Sequence, residues 1–220
     1  PMVLEKLTKC LNRLKSIFKG FGLHFPRTGK VWMKPHNPNR VPKDVYLSFV
    51  NSLSGNRMTL LAGVIVHSAT FLAVAAKTES PVYIFLAVAV IVVFCARMAI
   101  FRLFDKVDKE KLSFAEIERW EKILVVGAAG ITTLLGIGSG YAIFFTRDSF
   151  AELACIAVTM ATMVSVVGRN YGSRMAVDLQ TFSCCLPMII CSVMTLDFYR
   201  GILSVFLIPF WLTTRAMATG

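Results

Sequence analysis

The chain has 220 residues, 55% hydrophobic and only 17% charged, with a formal net charge of +11. A soluble domain usually carries about 25% charged residues, and a mean hydropathy of +0.63 is too high for an ordinary globular core. The basic excess is accompanied by no nucleic-acid-binding motif, so it points to anionic lipid headgroups and membrane topology, not to nucleic acid.

In Val3 to Phe21 the apolar residues Val3, Leu4, Leu7, Leu11, Leu14, Ile17, Phe18 and Phe21 recur at helical spacing, with Lys6, Lys9, Arg13, Lys15 and Lys19 filling other positions. Residues 1–22 are therefore expected to form a basic amphipathic helix whose five cations contact lipid headgroups. A poorly ordered tail, or a helix packed on a partner, is the alternative. Residues 23–43 hold four prolines and read as a linker. Its histidines, His24 and His36, have no companion ligands. No cleavable signal peptide precedes the first long apolar run, which starts near Met58.

A helical pattern resumes at Asp44 and leads into a membrane domain over residues 44–215. Spans of about 20 apolar residues are long enough to cross a bilayer. They are expected at Met58–Ala76, Val82–Ile100, Ile123–Thr146, Phe150–Gly168, Ala176–Leu196 and Gly201–Thr214. The fold class is thus all-α, a polytopic membrane protein with about six transmembrane helices. His67 lies near the middle of the first span, where an imidazole either senses a ligand or proton or is neutral and bonded to a neighbouring helix. Arg97, near the end of the second span, is expected to snorkel toward the headgroups.

Arg97 to Lys122 is a charged island, with 13 of its 26 residues ionisable, and it separates a leading pair of spans from a trailing group. Within it Ser113-Phe114-Ala115-Glu116 has the pattern of a capping box. In the third span Gly136 and Gly140 form a GxxxG, a signal of close helix packing more than of a particular dimer. Pro187 and Pro209 interrupt the last two spans. Residues 216–220 are read as the start of a C-terminal continuation. With both termini inside, 21 of the 24 Lys and Arg fall on the inner side and three on the outer. This is a strong positive-inside asymmetry.

No catalytic constellation, phosphate loop, Cys/His metal spacing or internal repeat is visible, so neither a catalytic residue nor a cofactor or metal is assigned. The six cysteines read as small apolar residues. Besides His67, the candidates for ligand sensing are Arg169, Asn170, Tyr171 and Arg174 between the fourth and fifth spans. Two arginines, an amide and a phenol suit an anion or a headgroup. The plainer alternative is a helix-ending loop whose arginines fix topology.

Three groups of residues carry a resemblance. They are Val45 to Leu53 followed by Gly55-Asn56-Arg57, then Phe114-Ala115-Glu116 with Glu118-Arg119-Trp120-Glu121, and then Gly168-Arg169-Asn170-Tyr171-Gly172. Together they resemble the six-helix N-terminal region of alphaproteobacterial cyclic-di-GMP signalling proteins, over roughly Pro42 to Arg215. The resemblance implies a sensory or anchoring domain of the bacterial inner membrane with cytoplasmic termini. Its last span would lead into GGDEF (diguanylate cyclase) or EAL (phosphodiesterase) domains and support a homodimer. The chain holds neither a GGDEF nor an EAL motif, so no catalytic residue is carried over. A small transporter or channel, or a stand-alone membrane scaffold, are the competing expectations.

Overall fold

The structure is a computed structural model, and it describes residues 42–55, 57–109, 111–170 and 173–217. The basic helix expected at 1–22, with its lipid-facing Lys6, Lys9, Arg13, Lys15 and Lys19, lies outside the described residues, as do the linker up to Val41 and Tyr171. The described chain is all-helical. It comprises α1 (Lys43–Gly55), α2 (Arg57–Thr78), α3 (Pro81–Asp105), α4 (Phe114–Tyr141, continued by a π-helical turn at Ala142–Thr146), α5 (Ser149–Asn170), α6 (Arg174–Met194) and α7 (Phe198–Met217). Five of these are long and apolar enough to cross a membrane, and Phe198–Thr214 adds a shorter apolar helix. The exposed faces of the spans carry Ile65, Phe85, Val92, Val126, Leu153 and Val164. Such surface suits lipid and would be a liability in water.

Successive spans run up and down, joined by short turns. At one end of the bundle, here the turn side, lie the links after α2, α4 and α6. Each places a non-glycine residue in the left-handed region, at Glu79, Arg147 and Leu196. At the opposite end, the terminal side, lie α1, the 106–113 connection and the end of α7. The charged island is not a separate segment. Arg97 to Asp105 continue α3, and Phe114 to Lys122 open α4, which leaves only 106–113 as a link. The capping box forms as the sequence signals. The Glu116 N–H donates to Ser113 Oγ at 3.4 Å, and the Ser113 N–H donates to Glu116 Oε2 at 2.7 Å. Two orphan amides at the start of α4 are thereby satisfied.

Helix α4 is the axis of the bundle: it packs on α1, α3, α5 and, most extensively, α6. Its small residues explain the closeness. A Cβ at Gly136 would lie 2.4 Å from the Cys184 carbonyl oxygen of α6, and one at Gly140 would lie 2.9 Å from Cys191 Sγ. The GxxxG thus serves packing within the chain. On another face a Cβ at Gly138 would lie 2.5 Å from the Phe71 ring of α2. Hydroxyl pairs bridge α4 to its neighbours, Thr132 to Ser183 of α6 at 2.9 Å and Ser139 to Thr159 of α5 at 2.8 Å. The turn-side half of the bundle is filled by Phe71, Val74, Tyr83, Leu86 and Leu135, which form one buried cluster.

Candidate functional site

The polar side chains that the fold draws together come from five helices. A cleft of about 340 Å³ lies between α2 and α5, floored by α3, α4 and α6. Its wall includes His67 and Thr162, and its floor includes Arg97, Thr132 and Gln180. Arg97 is 5%, His67 7% and Gln180 2% exposed, although all three line an open cleft. The rim is different: Thr59, Ala62 and Val66 on α2, and Ala161 and Ser165 on α5, are all exposed. In a bilayer this rim faces lipid.

Helix geometry sets the depth. His67 is ten residues into α2, about 15 Å from its start at 1.5 Å per residue. Arg97 lies eight residues, about 12 Å, before the end of α3, and Gln180 six residues, about 9 Å, into α6. The cleft therefore occupies the terminal-side half of the bundle and reaches inward to His67.

This placement corrects the expectation that Arg97 snorkels to the headgroups. Arg97 is only 5% exposed, so its side chain is turned into the bundle and does not lie on a lipid-facing surface. Its aliphatic stem lies along α4, where a Cβ at Gly127 would meet Arg97 Cγ at 3.8 Å. Its guanidinium sits 5.2 Å from the Phe101 ring centroid.

His67 makes the neighbouring-helix bond that one of its two sequence readings expects. Its Nε2 lies 2.8 Å from Thr162 Oγ1 on α5, the neighbouring-helix bond expected of a structural imidazole. The Thr162 hydroxyl donates to the Val158 carbonyl at 2.7 Å. With that proton committed, His67 donates through Nε2–H, and Nδ1 is left as an acceptor. Nδ1 is buried and has no partner among the described residues.

The other sequence candidates do not join this cluster. Asn170 ends α5 and is 4% exposed, and its carbonyl accepts the Ser173 N–H at 2.9 Å. Arg169 and Arg174 belong to the end of α5 and the start of α6, and their side chains lie outside the description. Next to them the structure places a junction that the sequence did not single out. The Glu121 carboxylate accepts from Tyr46 Oη on α1 at 2.5 Å and from Ser173 Oγ at 2.7 Å. Ser173 in turn caps α6 through the Ala176 N–H at 3.3 Å. One carboxylate on α4 thus ties α1 to the start of α6. Among the described residues no group of three or more His, Cys, Asp or Glu is placed to hold a metal ion.

Comparison with protein-family models, with curated proteins and with solved structures gives no match for this chain.

Proposed function

We propose that this chain is the membrane input domain of a cyclic-di-GMP signalling protein. The observation that carries the sensory part is the cleft: a buried arginine and a histidine with an unpartnered nitrogen, held together by five helices inside a membrane bundle. Polar groups at such a position are expensive and need a use. Occupation of the cleft changes the packing of α2 against α5, and α4 and α6, which floor it, pass the change to α7. A ligand drives such a change only through different affinities for the two packings.

The cyclic-di-GMP assignment is supported by the resemblance of residues 45–57, 114–121 and 168–172 to that family's membrane region. In this reading the domain sits in the bacterial inner membrane with the terminal side cytoplasmic. The charge count supports that orientation, since three Lys or Arg occupy the turn side. Helix α7 then delivers the chain to a cytoplasmic GGDEF or EAL domain, acting as a homodimer. The amphipathic residues 1–22 rest on the same leaflet through Lys6, Lys9, Arg13, Lys15 and Lys19.

A conduit is disfavoured by the packing of the turn-side half, where Phe71, Tyr83 and Leu135 fill the space beyond His67. The experiment that tests the assignment is to read the gene beyond the Gly220 codon. An open frame entering a GGDEF or EAL domain is expected; a stop codon within a few residues would refute the cyclic-di-GMP assignment.

A further inference from the structure

We propose that the α2–α5 cleft holds one acyl tail of a bilayer phospholipid, drawn from the leaflet on the terminal side. The inference rests on the input-domain reading for its purpose and names the ligand class of that same site.

The cleft takes its shape from where α2 and α5 touch. On the turn side Phe71 and Val74 of α2 share a buried cluster with Ala151 and Cys155 of α5. One turn nearer the terminal side, the bond between His67 Nε2 and Thr162 Oγ1, at 2.8 Å, pins the two helices together. Beyond that pin Leu60 and Gly63 on α2, and Ser165 and Val166 on α5, line an open cleft of about 340 Å³. The pin is therefore its inner end.

The polar groups on the wall and floor are already used within the protein. Thr162 donates to the Val158 carbonyl at 2.7 Å, and Thr132 donates to the Ala129 carbonyl at 3.0 Å. His67 Nδ1 is sealed from the cleft. Arg97 and Gln180 are 5% and 2% exposed, and the Arg97 guanidinium lies against the Phe101 ring. What the cleft presents is mostly carbon, from Leu60, Ala62, Val66, Ala128, Ile131 and Ala161. Ordered water needs two to four polar partners, which such a surface does not supply. An empty cleft forfeits the dispersion contacts of its whole lining. Hydrocarbon is the occupant that suits it. His67 and Thr162 then serve to hold the walls at the inner end.

The surroundings supply that hydrocarbon. Next to the rim, Leu61, Ile65 and Val164 are 40%, 60% and 65% exposed, so the cleft opens on the face that meets lipid. Its depth also matches one leaflet. The ion pair between Arg57 and Asp105, with both side chains about half exposed, marks the headgroup level at the start of α2. From Arg57 to His67 is ten residues, about 15 Å of helix. Half of a hydrocarbon core about 30 Å thick is also about 15 Å. A tail whose head stays at Arg57 thus ends at the His67–Thr162 pin.

The test uses the 220-residue chain in phosphatidylcholine nanodiscs carrying one of three photoactivatable probes, with adducts mapped by mass spectrometry. One phosphatidylcholine carries a diazirine at the end of a tail, a second carries it next to the glycerol, and the third probe is a free fatty acid with a chain-end diazirine. Ala128 and Ile131, 4% and 6% exposed, lie on the cleft floor, away from the outer surface. The chain-end phospholipid should label Ile131, and the glycerol-side probe should label Leu60 and not Ile131. Gly63→Met should remove the Ala128 and Ile131 adducts. It fills the cleft from a position where a Cβ meets only an ordinary contact, His67 Cε1 at 3.7 Å. Gly168→Met, also in open space but not in the cleft, should leave them unchanged.

Adducts confined to outward residues such as Ile65 and Val164, or floor adducts that survive Gly63→Met, overturn the proposal. The reverse depth order overturns the tail's placement, and floor adducts from the free fatty acid alone overturn the phospholipid source. The wild-type depth order is read without any variant, so the test does not depend on Gly63→Met folding. Labelling is read on these helices alone. A negative result leaves the cyclic-di-GMP assignment to its own genetic test, and a stop codon after Gly220 leaves the labelling result standing.

Discussion

Replacing Gly136 with alanine should weaken the bundle more than any other single methyl group added to a described glycine. The added Cβ would lie 2.4 Å from the Cys184 carbonyl oxygen and 3.0 Å from its carbonyl carbon and Cα. All three are backbone atoms of α6, so no side chain can swing aside. An ordinary contact needs about 3.4 Å or more, so α4 and α6 must part by roughly 1 Å, enough to forfeit a quarter to a half of each dispersion contact along the seam. That seam is the most extensive among the described helices. Overpacking of this kind costs about 1–3 kcal/mol, and the backbone clash puts Gly136→Ala near the top of that range. Gly168 is the control. It also lies in a helix, α5, but nothing stands within 4 Å of its would-be Cβ. Gly168→Ala should therefore stabilise by up to about 1 kcal/mol through helix propensity. Reversible unfolding in mixed micelles, followed by the fluorescence of the chain's tryptophans, reads both. The packing argument fails if Gly136→Ala comes within about 0.5 kcal/mol of wild type, the scatter expected of a site without such a feature.

Further expectations follow from particular groups. Glu121→Ala removes the carboxylate that accepts from Tyr46 Oη and Ser173 Oγ. It should cost on the order of 1–3 kcal/mol and speed amide exchange in α1, while a unit change in exchange at α1 would be absent if the junction were incidental. At the α4–α5 turn the Asp148 carboxyl is held below its usual range, first by the Ala151 N–H and then by Lys77, 3.3 Å away. Its contribution is therefore present above the unfolded value of about 4 and lost as pH falls through the lower folded value. Asp148→Asn should flatten the acid limb of the stability–pH curve, and an unchanged limb would count against the cap. Arg200 bonds Glu152 with two nitrogens, at 2.5 and 3.3 Å, and joins α7 to α5. Arg200→Ala should cost about 1 kcal/mol, whereas the half-exposed Lys122–Glu118 pair should give less than about 0.5 kcal/mol, with the difference shrinking in high salt.

The spans were legible because a bilayer demands long uninterrupted apolar helices, and each expected span overlaps an observed helix. The start of α4 was legible for a local reason, since Ser113 and Glu116 cap within one turn. Gly136 and Gly140 were legible as packing residues, though not their partners on α6. Arg97 was legible as a charge near the edge of the apolar run, but not that its side chain turns into the bundle, because that depends on packing against α4. The cleft itself had no sequence signal. His67, Arg97, Thr162 and Gln180 are brought together only by the packing of α2, α3, α5 and α6 around α4. The Tyr46–Glu121–Ser173 junction spans 75 residues between its first two members and was invisible for the same reason.

The central claim is that occupation of the α2–α5 cleft sets the output of a cyclic-di-GMP enzyme. Its most direct measurement is the cellular cyclic-di-GMP level in a strain that expresses the full-length gene as wild type or as Gly63→Met, at matched protein abundance. The account predicts a shift of about fivefold or more, the low end of ordinary coupling between two sites. An unchanged level, with the variant folded and in the membrane, would contradict it.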